Sequence, residues 1–125
     1  MKFVPETLDG ANMIARHEPN RLWVGGALHE GSVFVPWSGA VLPWAVSDWG
    51  SLALSDFERM AAFGPELVIF GSGRRMRFAP PALLKPLVER RIGIECMDTA
   101  AACRTYNVLV SERRSVLAAL LVGVD

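Results

Sequence analysis

Apolar and polar positions divide the chain into an early part of short, interrupted apolar runs and a later part of unbroken apolar blocks. Residues 1–20 are polar and turn-prone, with Asp9-Gly10 and Pro19-Asn20 as breakers. The stretch RLWVGGALHEGSVFVPW follows. Its apolar segments, 21–28 and 32–37, flank Glu30-Gly31 and predict a β-hairpin. Gly25-Gly26 inside the first arm predicts a bulge there. Trp37, Trp44 and Trp49 lie in a stretch broken by Pro36 and Pro43, which predicts a loop whose large apolar anchors fold onto the sheet.

Ser55 and Glu58 match a capping box, and Phe57, Met60 and Ala61 recur at helical spacing. A helix over 56–62 should therefore end at Gly64-Pro65. ELVIFGSG carries an apolar run bounded by Gly71, the pattern of a central strand covered on both faces. Pro80-Pro81 open a helical pattern through Leu83, Leu84, Leu87 and Val88 that closes near residues 91–93, and Pro86 should bend or shorten it. IGIECM repeats the buried-strand pattern at 92–97, a helix follows over about 99–108, and SVLAALLVG forms a last strand. Strand, helix, strand, helix, strand describes an α/β layered sheet whose first two members run parallel. Pattern alone leaves the direction of the last strand open.

Composition narrows the class. At 125 residues the chain fits one domain, residues 1–125, and its 51% hydrophobic content argues for a packed core over disorder. Lys+Arg and Asp+Glu balance at 13 each, so no global field draws nucleic acid or an anionic membrane. Cys96 and Cys103 match no metal or redox spacing and read as reduced thiols of an intracellular protein. MKFVPETLDG lacks the apolar stretch of a signal peptide, and LAALLVGV is far shorter than the roughly 20 residues that cross a bilayer. The expectation is a cytoplasmic protein without stable membrane insertion.

The candidate chemistry gathers where strands end. Asp98 and Thr99 stand at a strand-to-helix junction, where either side chain can cap the helix and Asp98 opposes its positive end. Capping alone would justify both; a ligand role is the alternative. Arg104 shares a face with Ala100 and should lean back toward the crevice, to clasp Asp98 or to meet an anion. Gly71-Ser72-Gly73 forms a second turn, followed by Arg74, Arg75 and Arg77. Met76 stands where a dinucleotide fingerprint starting at Gly71 needs glycine, and no Lys-Ser/Thr pair follows a long glycine loop, so neither phosphate motif is present. The arginines are either solvated surface or part of a crevice at the carboxyl ends of parallel strands. The candidate anion or ligand crevice is thus Gly71, Ser72, Gly73, Arg74, Asp98, Thr99 and Arg104. His17 and His29 have no carboxylate at metal-ligand spacing, and Ser72, Ser111 and Cys103 show no activating base, so no catalytic residue, metal site or cofactor is assigned.

LVIFGSG, PPALLKPL and GIECMDTAAACRTYNVLVSERRSVLAALL together resemble the small Mth-type domain family of unknown function, most closely over residues 66–122, and GGALHEGSVFV resembles its early segment. MDTAAACRTYN is the most specific string. The family includes a mitochondrial complex I assembly factor and an adipogenesis-associated protein. The resemblance implies a compact layered α/β domain with a central mixed sheet, packed helices and an N-terminal β-hairpin layer, and no assigned catalytic residue. Two functional expectations follow. One is a non-enzymatic protein-interaction or assembly-factor-like role, with protein partners and the Trp loop as contact surface. The other is a small-anion or metabolite-binding protein, open to catalysis, using the crevice. Homo-oligomerisation stays open.

Overall fold

The computed structural model describes residues 10–125; the turns expected at residues 1–9 lie outside the described residues. Three antiparallel strands come first, β1 (Ile14–Glu18), β2 (Arg21–Val24) and β3 (Ala27–His29), in the order β1-β2-β3. Then follow β4 (Val33–Pro36), β5 (Leu42–Pro43), helix α1 (Leu54–Ala62), β6 (Leu67–Gly71), helix α2 (Lys85–Glu89), β7 (Gly93–Met97), helix α3 (Thr99–Ser111) and β8 (Val116–Leu120). A five-stranded mixed sheet has the order β5-β4-β8-β6-β7. Within it β6 runs parallel to both β7 and β8, whereas β4 runs antiparallel to β8 and β5.

Side-chain alternation builds two cores on the faces of this sheet. Leu117, Ala119, Val68, Phe70 and Phe34 face one way, onto α1, α2 and the Trp loop. Val116, Ala118, Leu120, Ile69, Val33 and Val35 face the other way, onto α3 and the small sheet. The mixed α/β architecture expected from the sequence is the one observed.

The N-terminal layer differs in detail from the predicted hairpin. Gly25-Gly26 is the hairpin turn itself, with Gly25 at φ 58°, and β2 pairs β3 through Leu22–His29, Trp23–Leu28 and Val24–Ala27. The predicted second arm instead enters the central sheet as β4. All four residues of β4 are buried, which a half-solvated hairpin arm would not allow. The bulge lies in β1, between Ile14 and Arg16, in a stretch whose polar residues disguise a strand.

Three helix expectations also shift. Helix α1 starts at Leu54 and is capped not by Ser55 and Glu58 but by Asp56, whose Oδ2 accepts the Ala53 N–H at 2.8 Å. The other oxygen, Oδ1, accepts the Trp44 indole N–H at 3.0 Å, so one carboxylate both starts the helix and fastens the Trp loop. The pattern after Pro80-Pro81 splits into a 3-10 turn (Pro81–Leu83) and short α2, because Pro86 is tolerated only in a first turn. Helix α3 runs on to Ser111, three residues past the expected 108.

The Trp loop covers the core in part. Trp44 stacks on Phe34 at 4.6 Å and Trp49 meets Phe70 edge-on at 5.9 Å, whereas Trp37 is 47% exposed. Helix α3 is tied to the N-terminal layer by two adjacent residues. Tyr106 Oη lies 2.7 Å from the Asn12 carbonyl and 3.0 Å from the Pro36 carbonyl. The Asn107 amide accepts the Ile14 N–H and donates to the Ile14 carbonyl, both at 2.9 Å, completing pairing at the β1 bulge. Tyr106→Phe keeps the buried ring but strands a carbonyl. It should cost on the order of 1–3 kcal/mol in urea denaturation, with secondary structure unchanged.

Candidate functional site

Glycine geometry dictates the turn after β6. Gly73 has φ 98°, and a Cβ there would stand 2.4 Å from the Val124 carbonyl oxygen, so only glycine fits. A Cβ on Gly71 would meet Thr99 Oγ1 and Leu120 Cδ2 at 2.9 Å. The two glycines let the β6 turn lie directly against the start of α3 and the end of β8.

Thr99 joins these three pieces. Its backbone N–H donates to the Gly73 carbonyl at 2.9 Å, and its hydroxyl accepts the Gly73 N–H at 2.9 Å. The same hydroxyl donates to the Leu121 carbonyl at 2.7 Å. Asp98 is the N-cap of α3, accepting the Ala101 N–H at 2.9 Å. Ser72 is fully buried, and its hydroxyl approaches the Arg75 carbonyl at 2.7 Å while accepting the Arg77 N–H at 2.9 Å. Most polar groups of the two motifs are thus satisfied by one another.

A crevice of about 200 Å3 opens above this joint, lined by Gly73, Arg74, Asp98, Thr99, Ala100, Leu121 and Gly123, with His17 and Pro19 from the small sheet. The two motifs therefore share one mouth, at the carboxyl ends of parallel strands. Gly71 and Ser72 lie beneath it, packed and buried. Arg104 does not line it: the side chain is exposed on α3 and makes no ion pair with Asp98. The other arginines disperse. Arg74 reaches Asn20 Oδ1 at 3.2 Å and Asp125 Oδ1 at 3.4 Å, Arg75 is exposed, and Arg77 lies over the Trp49 ring at 4.2 Å. Among the described residues no group of three His, Cys, Asp or Glu side chains could hold a metal ion.

Residues 14–121 match a family described as a protein of unknown function (DUF498/DUF598). The chain belongs to this family. It is 36% identical over 112 residues to an uncharacterised Rhodobacter capsulatus protein, covering 90% of this chain and 86% of that one. It is also 36% identical over 84 residues to NADH dehydrogenase [ubiquinone] 1 alpha subcomplex assembly factor 3 of Xenopus tropicalis, covering 66% of this chain and 46% of that protein. The chain thus spans less than half the length of that assembly factor. Among solved structures, a Mth938-like domain from Bordetella pertussis superposes with a TM-score of 0.83 at 26% identity, covering 100% of this chain and 94% of that one. The Mth-type resemblance read from MDTAAACRTYN is therefore established.

Within this DUF498/DUF598 fold, His17 is the crevice residue that sequence reasoning missed. Its neighbours Arg16 and Glu18 mask strand β1, and only pairing with β2 brings His17 over the α3 N-terminus. Burial holds the imidazole below its ordinary 6.5, while the Asp98 carboxylate pulls the other way. The folded protein therefore binds this proton less readily than the unfolded chain. Stability from the neutral imidazole is present above about pH 6.5 and declines as pH falls below it.

Two outcomes are expected. His17 should titrate below 6.5 by NMR, and Asp98→Asn, which retains a capping side chain, should move it lower still. Thr99→Val leaves the Gly73 N–H and the Leu121 carbonyl unpaired and should cost about 2–5 kcal/mol in thermal or urea denaturation, with Thr99→Ser recovering most of it.

Proposed function

We propose that this chain is a non-enzymatic protein-binding factor that assists assembly of a partner complex. The observation that carries the reading is the 36% identity, over two thirds of the chain, to a protein named as an assembly factor for NADH dehydrogenase. Exposed Trp37 and Leu28 add support as apolar side chains of the kind that anchor protein contacts. Cytoplasmic location is part of the same proposal, supported by the free state of Cys96 and Cys103. Among the described residues no helix is long and apolar enough to cross a membrane. Deleting the gene should lower the amount of assembled NADH dehydrogenase in the host's membranes. Wild-type chain should restore it, and Trp37→Asp should restore it by less than about half. An unchanged complex in the deletion strain refutes the reading.

A second reading, a small-anion or metabolite site using Gly73, Arg74, Asp98 and Thr99, with Gly71 and Ser72 supporting the turn beneath and Arg104 outside, is favoured by the crevice that these four residues line. The carboxylate of Asp98 at the same mouth opposes a simple anion and favours a ligand carrying both signs. Inorganic phosphate and a zwitterionic amino acid, titrated separately and followed by amide NMR shifts at Gly73 and Thr99, test it. Saturable shifts that Arg74→Ala abolishes support the crevice, and Arg104→Ala, outside it, should leave them unchanged.

A further inference from the structure

The chain-wide balance of charge hides an asymmetry. The crossover from β6 to β7, residues 72–92, holds six of the 13 cationic side chains and one of the 13 acidic ones. It therefore carries a net charge of +5 within a chain whose total is zero. The same crossover bears the two most exposed large hydrophobic side chains among the described residues, Phe78 at 75% and Val88 at 68%, with Met76 at 44%.

These side chains share one face. Phe78, Leu84 and Ile94 line an apolar groove of about 610 Å3 along β7. The Val88 N–H donates to the Leu84 carbonyl at 3.0 Å, which sets Val88 one turn beyond Leu84 on the same side of α2. Arg91 closes that end, its N–H donating to the Val88 carbonyl at 3.0 Å. At the other end, Ser72 Oγ lies 2.7 Å from the Arg75 carbonyl and 3.1 Å from the carbonyl of Met97, a groove residue. Arg75 and Arg91 are exposed, and neither pairs with a carboxylate among the described residues. Arg77 and Arg90 donate to backbone carbonyls, which leaves their charge unneutralised. The acids turn elsewhere. Glu89 pairs with Lys85 at 3.8 Å, beside α1. Glu95 borders the groove but alternates with Ile94 and Cys96, so its side chain turns toward the opposite face of the sheet. Phe78 and Val88 stand out from the surface, so the face presents knobs and not a socket. Projecting apolar groups set between cations suit an anionic lipid surface, where the first enter the acyl boundary and guanidinium groups stay among the phosphates.

We propose that this face docks the chain peripherally on an anionic lipid bilayer, with Met76, Phe78 and Val88 in the interface and Arg75 and Arg91 on headgroup phosphates. Such docking needs no helix of membrane-spanning length, since only side chains enter the lipid. The proposal rests neither on the assembly-factor reading nor on the crevice.

Co-sedimentation with protein-free vesicles tests it, one set of phosphatidylcholine alone and one containing about 30% phosphatidylglycerol, at about 0.1 M salt. The wild-type chain should bind the anionic set at least about tenfold more tightly, and about 0.5 M salt should remove most of that preference. Phe78→Asp should weaken binding about tenfold. Arg75→Ala and Arg91→Ala should each weaken it about fivefold, whereas Arg104→Ala, on α3, should leave it unchanged. All four positions are exposed, and thermal unfolding reports the intact fold of each variant. A spin-labelled lipid should broaden the amide signals of Phe78 and Val88 but not that of Val108, which is exposed on α3. Failure to bind the anionic vesicles overturns the proposal, as does equal binding to both sets or binding that Phe78→Asp leaves intact. Retention of single-stranded RNA in place of vesicles, lost with Arg75→Ala, would also overturn it, assigning the cations to nucleic acid.

Discussion

Strand β8 is the constraint on which the structure depends. Every residue from Val116 to Leu120 has zero exposure, and the strand pairs antiparallel with β4 on one side and parallel with β6 on the other. It joins the antiparallel N-terminal half of the sheet to the parallel C-terminal half. Its side chains alternate between the two cores, so a slip of one residue would exchange the two sets of contacts. Both faces must therefore be apolar.

The crevice is a by-product of closing that sheet. Where β6 and β8 end, Gly73, Thr99 and Leu121 exchange hydrogen bonds in a space too narrow for any side chain at position 73. Thr99 is buried, and its hydroxyl is used as donor and acceptor by backbone groups from two other segments. The motif that looked like a ligand cradle is thus first a joint. The chemistry left facing the crevice comes from His17, Arg74 and Asp98, one from each of three separate stretches of chain.

Further out, the same economy governs how α3 is used. Ala102, Cys103, Tyr106 and Val110 pack inward, and Tyr106 and Asn107 reach Asn12, Ile14 and Pro36 across more than half the chain. Burial among these neighbours pushes the Cys103 thiol up to about 12, which makes it an inert part of the packing. Among the described residues, Trp37 and Leu28 stay exposed near the small sheet, and β7 leaves one edge of the central sheet unpaired.

The later half of the chain was legible because its signals are local. LVIFG, GIECM and VLAAL are apolar blocks of strand length, and Asp98-Thr99 is a helix start wherever it occurs. Proline and glycine likewise mark where helices break, although Pro86 alone did not say that the pattern would split into two pieces. The early half was less legible. Arg16, His17 and Glu18 conceal β1, and nothing near Val33–Pro36 announces that these residues abandon the hairpin for β8, some eighty positions later. By itself the sequence determined the α/β class, the order of its buried strands and the capped start of α3, since periodicity, turn chemistry and capping act within a few residues. Only the tertiary structure decided that β8 lies between β4 and β6, that His17 joins the crevice and that Arg104 stays outside it. Those outcomes depend on contacts between distant segments, where buried area and paired backbone groups select among partners that local pattern leaves equivalent.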